Sequence, residues 1–314
     1  MDVNNPTGGS GLVAIDKRGS RAYFLDPSSF DELAYVGLPA RPHEVAISVD
    51  HRRAFVSIYG NGIYGNNTQP GCTIVVLDLA SRAQVGTLDV SPYLAPHGLM
   101  FGADGLLYAS CDQSGVVDVV DVRSGTVLSA IDAGSHGPHM IAMLPDGSKL
   151  YSENEEDPFV SVMSPSTRQR LSTIPMPGGS AGIAASADGR RILVVGGQAP
   201  LLASIDTDSD TLVRTVRLAG HRQPAQRVRC SPDGRFVVVT ATEEPLVTIL
   251  SDDLETQTTL EVAAAPMGVA FHPDGRTALI GNHGAGRITV LDLESRSIQR
   301  DFACGVGVET LAFY

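Results

Sequence analysis

Residues Pro266–Asn282 read PMGVAFHPDGRTALIGN, and Arg287–Arg300 continue with RITVLDLESRSIQR. An apolar run enters an Asp-Gly turn, a second run leaves it, a third ends in Asp, and a polar turn precedes a fourth. Asp-Gly between β-rich runs is a hairpin signal, so the stretch predicts four antiparallel strands in about 40 residues, one propeller blade.

The pattern recurs along the chain. First-strand segments begin PHEVAIS at Pro42, PHGLMFG at Pro96, PHMIAML at Pro138, SAGIAAS at Ser180, PAQRVRC at Pro224, PMGVAFH at Pro266 and GVETLAFY at Gly307. Their second residues fall at 43, 97, 139, 181, 225, 267 and 308, so all but the first step span 41 to 44 residues. No segment has sustained helical periodicity. The expected fold is all-β, a single domain over residues 1–314 built as a seven-bladed β-propeller. GLVAIDKRG, SRAYFLD and ELAYVGL supply the last three strands of a blade whose innermost strand is the C-terminal ETLAFY. That pairing closes the ring and removes its open edge.

SPDGRFVVVT, HPDGRTALIGN and RITVLDLESRSIQR resemble the YVTN-type repeats of seven-bladed propellers. The resemblance covers nearly the whole chain and implies the fold, but that repeat hosts many activities, so function must come from side chains.

A net charge of −12 excludes a general affinity for nucleic acid or anionic membranes. The four cysteines stand apart without CxxC spacing, against a zinc ribbon or a dense disulfide framework. MDVNNPTGGSG has neither a basic start nor an apolar run, so the expected compartment is the cytoplasm. Ser-His-Asp spacing, a P-loop and a dinucleotide fingerprint are all lacking.

Strand direction sorts the histidines. His43, His97 and His139 begin innermost strands, His136 and His221 sit between blades, and His283 ends a second strand, all on one face. His51 and His272 lie at turns of the other face. The one long insertion, YGNGIYGNNTQPGC, also lies on the first face and reads as a lid over the channel mouth.

Three imidazoles in one column of adjacent blades suit a divalent transition metal, zinc foremost, with iron, manganese, copper or nickel as alternatives. A ladder of packing histidines inherited by repeat duplication is the bland alternative. Carotenoid-cleaving oxygenases and oligogalacturonate lyases are similar in architecture and hold metals on inner histidines. Glu153, in the acidic segment SENEED, and Tyr59 are the candidates for moving a proton. Arg227, His283 and Asp112 are the candidates for binding substrate, with an interblade salt bridge as the alternative for Arg227. Glu155, Glu156 and Asp157 fit a solvated loop equally well, and Glu44, next to His43, is expected at a blade interface.

Together these residues point to a metal-dependent lyase or isomerase acting on a small polar or anionic molecule. The alternatives are a non-catalytic propeller that binds a protein or peptide, and a lactone hydrolase.

Overall fold

The computed structural model describes residues 10–63 and 65–314, and Tyr64 of the insertion lies outside them. Seven four-stranded antiparallel sheets form the ring. Blade 1 places the C-terminal strand Val308–Phe313 innermost, followed by Leu12–Asp16, Arg21–Leu25 and Glu32–Gly37. Leu12 pairs with Phe313 and Ala14 with Leu311, so the chain ends close the ring as the repeat phase predicts. The innermost strands of blades 2 to 7 are Pro42–Ile47, Pro96–Phe101, Pro138–Met143, Gly182–Ala185, Arg227–Cys230 and Pro266–Phe271.

Alternating apolar residues give each blade two buried faces, and the core divides into seven clusters, one between each pair of neighbouring blades. The predicted Asp-Gly turns hold glycine at φ of +68° to +77° at Gly105, Gly147, Gly189, Gly234 and Gly275. Blade 2 has His51 at the corresponding turn with φ 56°, a left-handed conformation that disfavours a side chain.

The proline steps carry a shared distortion. Pro42 pairs with Ile58 but Val45 with Val56, so His43 and Glu44 together oppose Ser57. The same two-against-one bulge sets His97 and Gly98 against Ser110, His139 and Met140 against Glu153, and Met267 and Gly268 against Gly281. A bulge re-aims the side chains it carries. It sends Glu44 across the channel to Arg227, whereas simple alternation placed it at a blade interface.

Candidate functional site

Hydroxyls on neighbouring strands hold the histidine backbones. Thr310 Oγ1 donates to the His43 carbonyl at 2.8 Å, Ser57 Oγ to the His97 carbonyl at 2.9 Å, and Ser110 Oγ to the His139 carbonyl. Gly98 permits the close approach, since a Cβ there would lie 2.8 Å from the His139 carbonyl oxygen. The result is a row of imidazoles. Ring centroids are 3.9 Å apart from His43 to His97 and again from His97 to His139, and all three residues are buried.

The two ends of the row differ in charge. At the first end His43 Nε2 lies 2.7 Å from Lys17 Nζ, and His43 Nδ1 lies 2.9 Å from Glu309 Oε1. Lys17 also donates to Glu309 at 3.3 Å, and Arg227 of blade 6 reaches Glu44 of blade 2 at 2.9 Å. Two buried carboxylates therefore meet two buried cations. Burial pushes the His43 pKa down to about 4, with Glu309 resisting, so the imidazole is neutral near neutral pH. Burial also lowers Lys17, while His43 and Lys17 outweigh the effect of burial on Glu309 and hold it well below the usual carboxylate range.

At the other end two carboxylates share one histidine. His139 Nδ1 is 2.6 Å from Glu153 Oε1 and 3.3 Å from Glu155 Oε1. Glu153 also accepts the Met140 N–H at 3.0 Å, and Glu155 accepts from Gln226 Nε2 at 3.3 Å. Among the described residues no lysine or arginine pairs with either carboxylate. Burial lowers the His139 pKa, but Glu155 and Glu153 outweigh it and the net shift is upward. Burial raises Glu155.

Several buried polar atoms at this end lack partners: both ring nitrogens of His97, Glu153 Oε2 and Asp112 Oδ1. An unpaired buried polar group costs on the order of 1–3 kcal/mol, so this end carries polar capacity that the protein's own groups leave unused. Ligating atoms of His139, Glu153 and Glu155 lie within 4.8 Å of one another, as do those of His43, Glu44 and Glu309. Each such set joins one histidine to two carboxylates. The three imidazoles themselves pack tilted along the row, at 58° between His43 and His97 and 39° between His97 and His139.

Tyr59 packs edge-on against both His43 and His97, with centroids 5.5 Å apart in each case. Its hydroxyl donates to Asp112 Oδ2 at 2.6 Å. Burial raises the Asp112 pKa to about 6, with the Tyr59 hydrogen bond acting against the rise. Tyr59 and Asp112 line a cavity of about 360 Å³ on this face, together with Asn66, Asn67, Gln113 and His136. The insertion folds over it, pinned by Asn67 Nδ2 to the Tyr59 carbonyl at 2.7 Å and by Gln113 Nε2 to the Asn67 carbonyl at 3.0 Å.

His283 sits at the first end, with Nδ1 3.1 Å from the Gly307 carbonyl and 3.3 Å from Glu309, and burial lowers its pKa. Arg227 forms the salt bridge named above. Lys17 was missed by sequence reasoning, although it follows the second strand of its blade much as Tyr59 and Asp112 end theirs. Glu153 had a stronger signal than its acidic surroundings. Aligning LYASC with LYSEN sets it where Ser110 faces the bulge.

Neither profiles of known families nor curated protein sequences match the chain. Solved structures do. Hydrazine synthase of Kuenenia stuttgartiensis superposes with a TM-score of 0.79 at 17% identity, over 92% of this chain and 94% of that one. The dihydro-heme d1 dehydrogenase NirN in complex with DHE superposes with a TM-score of 0.70 at 15% identity, over 98% of this chain and 76% of that one. At such identities the chain is similar to them in fold, and the fold these matches support is the seven-bladed propeller.

Proposed function

We propose that the protein is a metal-dependent enzyme acting on a small polar or anionic molecule, with a divalent transition ion at the His139 end of the row. The observation that carries this reading is the charge imbalance. Lys17 and Arg227 neutralise Glu309 and Glu44 at one end, whereas among the described residues Glu153 and Glu155 meet His139, the Met140 N–H and the Gln226 amide, with no lysine or arginine in an ion pair. Two carboxylates with one or two imidazoles suit zinc, manganese or iron(II). In this reading His139, Glu153 and Glu155 would be the ligands, and His97, whose ring nitrogens have no partner, is their neighbour along the row. His43, held by Lys17 and Glu309, supports the row.

A bound cation would polarise a carbonyl or hydroxyl oxygen of the substrate. Asp112, with a pKa of about 6 beside Tyr59, is suited to exchanging protons near neutral pH at the cavity floor. That equipment favours elimination or isomerisation. We further read the repeats as YVTN-type and the chain as one domain. We place it in the cytoplasm, because none of its four cysteines is in a disulfide. No helix among the described residues is long and apolar enough to cross a membrane.

Docking of a protein or peptide has weaker support. The exposed large apolar side chains include Leu33, Tyr35, Val85, Leu128, Leu171 and Ile298, spread one or two to a blade on outermost strands.

The test is elemental analysis of tag-free protein after incubation with zinc or manganese and desalting. About one equivalent is expected. Glu153→Gln combined with Glu155→Gln lowers it below about a tenth, while His43→Gln leaves it unchanged. Wild-type protein holding less than about a tenth of an equivalent overturns the reading.

A further inference from the structure

The channel is closed midway. Beside the Arg227–Glu44 pair the remaining space is about 10 Å³, at the lower limit for one water molecule. The opposite mouth, on the Asp-Gly turn face, is therefore a separate chamber. It holds a cavity of about 90 Å³ whose walls, from blades 3 to 6, include Met100, Ile141, Met143, Ile183 and Ala185.

One cation enters this apolar chamber. Arg229 lies two residues beyond Arg227 on the same innermost strand and borders both the chamber and the narrow space above it. The Arg229 backbone pairs with Val238, but among the described residues its half-buried side chain makes no hydrogen bond or ion pair. Its neighbour Arg227 keeps Nη1 buried without a partner. On a chain of net charge −12 with 35 acidic residues, an arginine without a carboxylate partner in an apolar recess is a distinctive feature. A guanidinium donates two parallel hydrogen bonds to a carboxylate in a bidentate fork.

We infer that this chamber binds a small monocarboxylate with an apolar body of about four to six carbons, its carboxylate on Arg229 and its chain among the methionine and isoleucine side chains. The inference is independent of the metal reading. The ion-pair layer separates the chamber from the histidine row, so the ligand is a regulator or a second substrate entering from the turn face.

The probe is 4-methylpentanoate, titrated into full-length protein carrying ¹³C-methyl methionine. Saturable shifts of the Met100 and Met143 methyls are expected, with a Kd of about 1 mM or tighter. 4-Methylpentan-1-ol keeps the apolar body without the charge and should bind about tenfold more weakly, as should the acid to Arg229→Gln. Ala185→Phe fills the chamber while sparing the arginine and should abolish the shifts, so the proposal stays testable if Arg229→Gln misfolds. Absence of methyl shifts up to about 10 mM acid overturns it. Equal binding of alcohol and acid, or undiminished binding to Ala185→Phe, overturns it as well.

Discussion

The two ends of the histidine row are built from the same kinds of group and solve opposite problems. Around His43 every buried carboxylate has a lysine or arginine partner, so the carboxylates at that end are charge-balanced. Around His139 two carboxylates converge on one imidazole, and buried atoms of His97, Glu153 and Asp112 remain unpaired. A propeller repeats its backbone seven times, so the difference lies in a few side chains placed around the row, such as Lys17 and Arg227 at one end and Glu153 and Glu155 at the other. A closed charge network stabilises one blade contact, and an open one leaves room for a ligand.

Removing a charge should therefore act with opposite sign at the two ends. Lys17→Met leaves Glu309 buried beside a neutral imidazole and should cost about 3 kcal/mol in urea unfolding, the usual penalty for breaking a buried pair on one side. Glu155→Gln in metal-free protein relieves repulsion with Glu153 and should be neutral or stabilising by up to about 1 kcal/mol. If Glu155→Gln is as costly as Lys17→Met, the second end is not short of positive charge and the comparison fails.

The ends should also respond oppositely to pH. His43 titrates at about 4 in the folded protein against an ordinary 6.5, so the unfolded chain takes up a proton that the native state refuses. Its contribution to stability is present above pH 6.5 and falls by up to about 1.4 kcal/mol per unit below it. His139 is shifted upward, so its contribution is present below pH 6.5 and is lost as pH rises through the folded value. Urea midpoints from pH 5 to 8 for His43→Gln and His139→Gln measure this. The first should flatten the acid limb of the stability profile and the second the alkaline limb.

The blades and the ring closure were legible because seven copies of one pattern average out local ambiguity. The Asp-Gly turns and the C-terminal strand returning to the N-terminal blade follow directly from repeat phase. The histidine column was legible for the same reason. The direction of the side chains was not. A rule of strict alternation sends Glu44 to a blade interface, while the bulge opposite Ser57 turns it into the channel to meet Arg227 across the ring. Contacts such as Arg227 to Glu44, or Lys17 to Glu309 at opposite ends of the chain, depend on ring geometry that no sequence spacing encodes. The acidic run after Glu153 divides similarly. Glu155 turns inward to His139, and Asp157 pairs with the exposed His136.

Tyr59 bridges the two ends and gives the smallest effect. Its ring leans on His43 and His97 while its hydroxyl reaches Asp112, whose carboxylate feels the charge on His139. Tyr59→Phe keeps the ring contacts and removes one donor to a buried carboxylate. The loss falls on the ionised form, so the Asp112 pKa should rise further above about 6. Because that pKa already exceeds its ordinary value, Asp112 contributes less to stability as pH rises through this range, and the variant extends the decline upward. The deficit against wild type should be smallest near pH 4 and grow to about 1 kcal/mol at pH 8. Carboxyl ¹³C titration of Asp112 reads the pKa directly. An unchanged value would mean that the tyrosine only packs against the row and that proton transfer at the cavity floor does not pass through this pair.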